Sequence, residues 1–330
     1  MKKVLCIALA LTFCLDIAAV ASAATYELTY STPLAQTQSS TIYFDKALDK
    51  IEELTGGDIH FSRTYSGTLG SEHDLGVMVT NGDIDITCVG PGQWSDWDES
   101  FKVFDTPYVF VDFDHFDRLL ASEDYKAWLT KHGDALNLEF VVTFNQAFKG
   151  ILNKERDVYS VSDLAGLKLR VPDSASLIEI GNAMGYTPTP TAAADQYMSL
   201  SQGIVDGADH ALWAHQSWKL TEIAKHYSET NHALQCVFFV MNKDSLAELP
   251  EDYQKIVRDA FAECERDLAA QTRLDAENSY ALAEEEGEKI IPYEDIDIDS
   301  FKTALQPIID SYSALDPELY GIIEATATAE

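Results

Sequence analysis

Gly166-Leu167-Lys168-Leu169-Arg170-Val171-Pro172 alternates apolar and basic residues between two chain breakers. Read as a strand, it sets Leu167 and Leu169 on one face and Lys168 and Arg170 on the other, and Pro172 ends the pairing. Arg170 then stands at the carboxyl end of a strand. In open α/β sheets the crevice outside those ends receives the ligand, and a planar guanidinium matches a carboxylate through two parallel hydrogen bonds. The competing use of such an arginine is a surface ion pair.

The segments on either side carry an alternating strand and helix rhythm. Tyr26 to Tyr30 reads as a strand, Ile42 to Leu54 as an amphipathic helix closed by Gly56-Gly57, and Ile59 to Tyr65 as a strand. Glu72 to Thr80 follows as a helix, Asn81-Gly82-Asp83 as a turn and Ile84 to Val89 as a buried strand. Farther on, Leu138 to Phe144, Lys168 to Val171 and Val237 to Met241 have strand character, and Ser174 to Met184 and Ala194 to Gln202 helical character. The class is α/β. Between Pro250 and Gly287 lie 36 residues without glycine or proline. A continuous helix there reaches roughly 54 Å at about 1.5 Å per residue, longer than one domain needs, so it is predicted to span two.

Met1-Lys2-Lys3, the apolar run Val4 to Val20 and Ala21-Ser22-Ala23 form a secretory signal peptide, with cleavage predicted after Ala23 and a periplasmic product. The remaining chain is too long for one compact core, which predicts two domains. The net charge of −32 becomes −33 when Lys2, Lys3 and Asp16 leave. That balance excludes a nucleic-acid-binding role. It also means that an anionic ligand needs concentrated local positive charge, which singles out the seven arginines. Cys88, Cys236 and Cys264 read as small core residues, and a Cys88–Cys236 disulfide stays open.

Several further stretches carry an identity in their order and spacing. They are Phe44 through Leu54-Thr55-Gly56-Gly57, Ser66-Gly67-Thr68-Leu69-Gly70-Ser71-Glu72, Asn81-Gly82-Asp83-Ile84-Asp85 and Asp105-Thr106-Pro107-Tyr108-Val109-Phe110. Asp163 through Pro172, Tyr197 through Gly207, and Thr230-Asn231-His232 complete the set. With them the chain resembles the periplasmic solute-binding subunits of tripartite ATP-independent periplasmic (TRAP) transporters, the DctP type. The resemblance implies a two-lobed, class II-like periplasmic binding protein fold with hinge strands and a long helix spanning both lobes. Lobe I is expected over 24–147 plus 236–275 and lobe II over 148–235 plus 276–330, with the ligand cleft between them. It further implies a monomer that uses no cofactor and passes a small organic anion to small and large membrane subunits. In that family the arginine matching Arg170 pairs with the substrate carboxylate.

Three positions depart from the family pattern. Ala147-Phe148-Lys149 stands where Gly-Phe-Arg is common, Asp209-His210 where Glu-Asn is frequent, and Ala193 where an aromatic often covers the ligand. The candidate ligand residues are Arg170, Lys149, Asn145, Phe148, Gln93, Trp94, Pro172, Asp173, Ala193, Asp209, His210 and Trp213. One ligand they suit is an aromatic or bulky carboxylate, stacked by Trp94, Trp97 or Trp213 in the room left by Ala193. The other is a phosphate-bearing molecule held by Arg170, Lys149 and His210. Arg170, the clearest inherited feature, favours the carboxylate.

Enzymes are the main rival class, but Gly-x-Ser-x-Gly, His-Glu-x-x-His and Cys-x-x-Cys motifs are all missing from the sequence. Asp295-Ile296-Asp297-Ile298-Asp299-Ser300 starts like a calcium loop, yet the required glycine is missing and Gln306 stands where the closing glutamate belongs. A solvated face or helix cap is predicted there, and no metal site. A sensory receptor would share every pocket residue and stays open.

Overall fold

The structure, a computed structural model, describes residues 25–328, so the predicted signal segment lies outside the described residues. In chain order the strands are β1 (Tyr26–Ser31), β2 (Ile59–Thr64), β3 (Ile86–Val89), β4 (Leu138–Phe148), β5 (Gly150–Asn153), β6 (Lys168–Val171), β7 (Thr187–Pro190), β8 (Gly207–His210), β9 (His226–Ser228), β10 (Leu234–Asn242) and β11 (Lys289–Ile291). They form two sheets, ordered β2-β1-β3-β10-β4 and β11-β9-β5-β8-β6-β7. Each sheet centres one lobe.

The first lobe follows from amphipathic periodicity. Helix Ser39–Leu54 buries Phe44, Ala47, Leu48 and Ile51, the helical spacing that makes one apolar stripe. Phe44 is sandwiched between Phe239 of β10, with ring centroids 3.8 Å apart, and Phe261 of helix Glu251–Glu286, at 5.0 Å. That sandwich ties sheet, first helix and long helix into one core.

Two strand crossovers join the lobes. β4 runs in the first sheet and, after Lys149 alone, the chain continues as β5 in the second. The return runs from β9 to β10 through Thr230-Asn231-His232. Ala147 and Asn231, one on each crossover, have positive φ of 64° and 42°. For alanine that conformation costs about 1–2 kcal/mol, so the fold holds it by surrounding contacts. Lys149 N donates to Ala233 O at 2.8 Å, pinning one crossover to the other.

As predicted, helix Glu251–Glu286 fills the stretch between Pro250 and Gly287, and Gly287 ends it with φ 69°, the left-handed conformation glycine adopts freely. Its Phe261, Cys264 and Leu268 are buried in the first lobe, and its Ala283 packs with Leu152 and Tyr227 in the second.

The C-terminal segment departs from the predicted division. Helix Ile298–Ser313 buries Phe301, Leu305 and Tyr312 in the second lobe. Helix Pro317–Ala325 instead returns to the first, burying Leu319 and Ile323 there. Asp316 accepts from Trp128 Nε1 at 2.9 Å, and His115 Nε2 lies 2.7 Å from Ile323 O. Residues 276–330 therefore do not all belong to lobe II. The predicted helix Ala194–Gln202 is also split, into a 3-10 turn Ala193–Asp195 and helix Gln196–Ser201. In the acidic 295–300 stretch, the Asp297 side chain caps helix Ile298–Ser313 by accepting from Ser300 N.

Cys88, Cys236 and Cys264 are buried free thiols. β3 and β10 are neighbours, but their register pairs Cys88 with Phe239 rather than Cys236.

In the second sheet β5 and β8 approach so closely at Gly207 that an added Cβ would lie 1.9 Å from the Leu152 carbonyl oxygen. Backbone cannot yield there as a flexible side chain could. Gly207→Ala is expected to lower stability by about 2–3 kcal/mol; thermal denaturation checks this, and an unchanged melting temperature would contradict the close pairing.

Candidate ligand-binding site

The carboxyl ends of β1 and β3 in one lobe face those of β6 and β8 in the other across a cavity. That matches the crevice rule from which Arg170 was selected. Arg170, Lys149, Gln93, Pro172, Ala193, His210 and Trp213 all line it.

Arg170 is 4% exposed. Its Nε and Nη2 donate to Thr191 O at 3.0 and 2.8 Å, which fixes the guanidinium plane and leaves the Nη1 end uncommitted. Burial lowers its pKa to about 10, against the stabilising charges of Glu72 and Asp209. The group is therefore a cation at neutral pH.

Lys149, on the β4–β5 crossover, is 3% exposed, and its Nζ lies 3.8 Å from Asp209 Oδ1. Asp209 does not line the cavity. It sits behind Lys149, where Oδ2 accepts from Tyr186 at 2.7 Å and Oδ1 lies 3.2 Å from His232 Nε2. Burial opposes its charge, but His232 and Lys149 outweigh that and hold the carboxyl below the ordinary carboxylate range. Asp209 thus balances the lysine.

His210 Nδ1 accepts from Ala211 N at 2.8 Å, which leaves Nε2 to carry the proton of the neutral ring. Burial first, then His215, Lys149 and Arg170, push its pKa well below the ordinary value. His210 is consequently a neutral donor and supplies no positive charge.

The remaining predicted residues separate by burial. Trp94 is fully buried in the first lobe's core, 5.9 Å from the Phe140 ring, and Trp97 stacks on His73 at 5.5 Å. Phe148 packs edge-on to Phe113 at 5.6 Å beside a different hollow. Asn145 Oδ1 accepts from Ala147 N at 3.1 Å, shaping the crossover. None of these four lines the cavity. Asp173 lines the outer part of the cleft.

Sequence reasoning missed Glu72, Asp105, Ser174, Trp218 and the glutamines Gln38, Gln146, Gln196 and Gln235, all lining the cavity. Glu72 and Asp105 lay inside stretches read for family resemblance, and nothing in their local pattern aims them at a cleft. Glu72 Oε1 accepts from Gly90 N at 2.6 Å, and Asp105 Oδ2 accepts from Ser176 Oγ at 2.6 Å. Burial raises the pKa of both carboxyls. Gln38 Oε1 and Gln235 Oε1 are buried without a hydrogen-bond partner within the protein.

Hydrogen bonds that cross between the lobes at the cavity include Ser176 to Asp105, Gln93 Nε2 to Asp173 O at 2.5 Å, and Trp213 Nε1 to Gln146 O at 2.9 Å. The lobes are therefore in contact around the cavity. Thr230 Oγ1 lies 2.8 Å from His232 Nδ1, so Thr230, His232 and Asp209 follow the order of a catalytic triad. Thr230 is nevertheless fully buried and lines no part of the cavity, which leaves it no access to a substrate. Among the described residues no group of three or more His, Cys, Asp or Glu side chains is placed to hold a metal.

Residues 30–315 match the family described as bacterial extracellular solute-binding protein, family 7, DctP. The chain is 27% identical over 305 residues to the 2,3-diketo-L-gulonate-binding periplasmic protein YiaO of Escherichia coli, covering 89% of this chain and 90% of that one. Its fold superposes with a TM-score of 0.85 on a TRAP periplasmic solute-binding protein from Pseudomonas putida F1 with bound D-glucuronate, at 24% identity over 92% of this chain and 98% of that one. A Sulfitobacter sp. NAS-14.1 TRAP periplasmic solute-binding protein with bound β-D-galacturonate gives a TM-score of 0.84 at 22% identity, covering 92% and 100%. The chain belongs to the DctP family, family 7 of the bacterial extracellular solute-binding proteins.

Proposed function

We propose that the protein captures a sugar acid, a small carboxylate bearing several hydroxyl groups, and delivers it to the small and large TRAP membrane subunits for uptake. The observation that carries this reading is the meeting, in one cavity, of the uncommitted Nη1 end of Arg170 with the side chains of Gln38 and Gln235, each of which has a buried amide oxygen without a partner in the protein. An unmatched buried acceptor costs about 1–3 kcal/mol, and a ligand hydroxyl removes that cost. Glu72 and Asp105 add carboxylate acceptors on the same walls.

Those two carboxylates weigh against a phosphate ester, whose greater negative charge they would repel, and neutral His210 removes the third cation that reading needed. An aromatic carboxylate keeps Trp213 and Trp218 as stacking partners, but their indoles pack equally well on the C–H face of a sugar. The relatives and solved neighbours named above, with diketogulonate, glucuronate and galacturonate, support the sugar-acid reading. Ligand contacts made from both lobes favour the closed form over the open one. In this reading the signal peptide is cleaved after Ala23 and the mature protein works in the periplasm as a monomer.

Arg170→Met is expected to weaken binding of a sugar acid by about 100-fold, since removing one partner of a buried charge pair costs several kcal/mol. Thermal-shift screening against sugar acids, aromatic acids and phosphate esters finds the ligand, and titration calorimetry measures the change. An affinity within about twofold of the parent would refute the charge clamp.

Glu72 tests the acceptor role through pH. Its folded pKa lies above the ordinary 4.5, so the folded state prefers the protonated form, and stability falls as pH rises through the folded value. Glu72→Gln is therefore expected to melt above the parent at pH 7, to converge with it near pH 4, and to bind the sugar acid less tightly. A variant that melts lower at pH 7 would contradict this.

A further inference from the structure

The lobes meet tightly on one side of the cleft and stand apart on the other. At Gly92, in the first lobe, an added Cβ would fall 2.2 Å from Ser174 Oγ and 2.7 Å from Ser176 Oγ, both in the second. No methyl group fits in that contact. Beyond Arg170, by contrast, the cleft continues into an outer compartment that opens to solvent. Pro33, Glu72, Gln93, Arg170, Pro172 and Ala193 line both compartments and form the throat between them.

The outer walls are built from short side chains. Ser66, Gly67, Gly70 and Ser71 supply one wall, and Ala192 and Ala194 the other. The Ala192–Ala194 wall is also held in place, because Arg170 donates twice to Thr191 O and Gln196 Nε2 donates to Ala193 O at 3.0 Å. Apart from Arg170 and the imidazole of His73, the charged groups of the outer compartment are the acids Glu72, Asp173 and Asp195. They would repel a second carboxylate and accept hydrogen bonds from hydroxyls.

From this geometry we infer that the outer compartment is a second sugar subsite, and that the solute is a sugar acid of two sugar units. Its single carboxylate pairs with Arg170, and a neutral, hydroxylated second unit passes the throat and lies between the short-residue walls. The inference rests on the sugar-acid reading and extends it from one sugar unit to two.

The test compares gluconate, galactonate, glucuronate and galacturonate with lactobionate and cellobionate, which are gluconate extended by a neutral hexose. Titration calorimetry is run on the parent, on Ala192→Trp and on Ala194→Trp, since both alanines line only the outer compartment. At least one two-unit acid is expected to bind more tightly than gluconate in the parent. Each tryptophan variant should weaken that acid by about tenfold or more, equivalent to about 1.4 kcal/mol, while one-unit acids change by less than about threefold. One-unit acids binding while both two-unit acids fail would overturn the second subsite and leave the sugar-acid reading standing. Failure of all six acids would overturn both. Unchanged two-unit affinity in both variants would also overturn the subsite.

Discussion

A guanidinium or ammonium withdrawn from water loses several kcal/mol of hydration unless opposite charge and matched acceptors replace it. Arg170 and Lys149 are both nearly fully buried on one cleft, in a chain whose net charge is −32. The surrounding structure is organised by the need to keep them charged. Thr191 O orients Arg170, Glu72 and Asp209 offset its desolvation, and Asp209 backs Lys149 from outside the cavity. Asp209 is in turn held ionised by His232 and by the Tyr186 hydroxyl. The cleft can therefore present positive charge to an anion that the rest of the surface repels.

Position and motion are linked through the same residues. Lys149 is the single residue between β4 and β5 and binds the returning crossover through Ala233 O. Arg170, by contrast, is anchored within the second lobe through Thr191 O. The long helix packs in both lobes, and the C-terminal helix returns from the second lobe to the first. In the proposed function, ligand contacts shared between lobes would favour their closure over the crossovers.

Much of the fold was legible because periodicity reports local burial. Strand Lys168–Val171 and the helix after Pro250 lie where alternation and the absence of breakers put them, and Arg170 is in the cleft that the strand-end rule indicates. What stayed hidden depends on which surfaces meet. Trp94 and Trp213 were equal candidates by sequence, yet one fills a core and the other lines the cavity. Leu319 and Ile323 form an apolar stripe whose pattern cannot say which lobe it covers. Glu72 and Asp105 reach the cavity from separate segments that converge only in the folded chain, and Asp209 takes its role from a lysine 60 positions away.

The central claim is that Arg170 holds the ligand's carboxylate, with the glutamines and acids taking its hydroxyls. A crystal structure of the complex with the tightest-binding sugar acid tests it most directly. A carboxylate oxygen is expected within about 3 Å of Arg170 Nη1, with hydroxyls on Gln38 and Gln235. A carboxylate held by Lys149 or His210, with Arg170 facing a hydroxyl or no ligand atom, would contradict it.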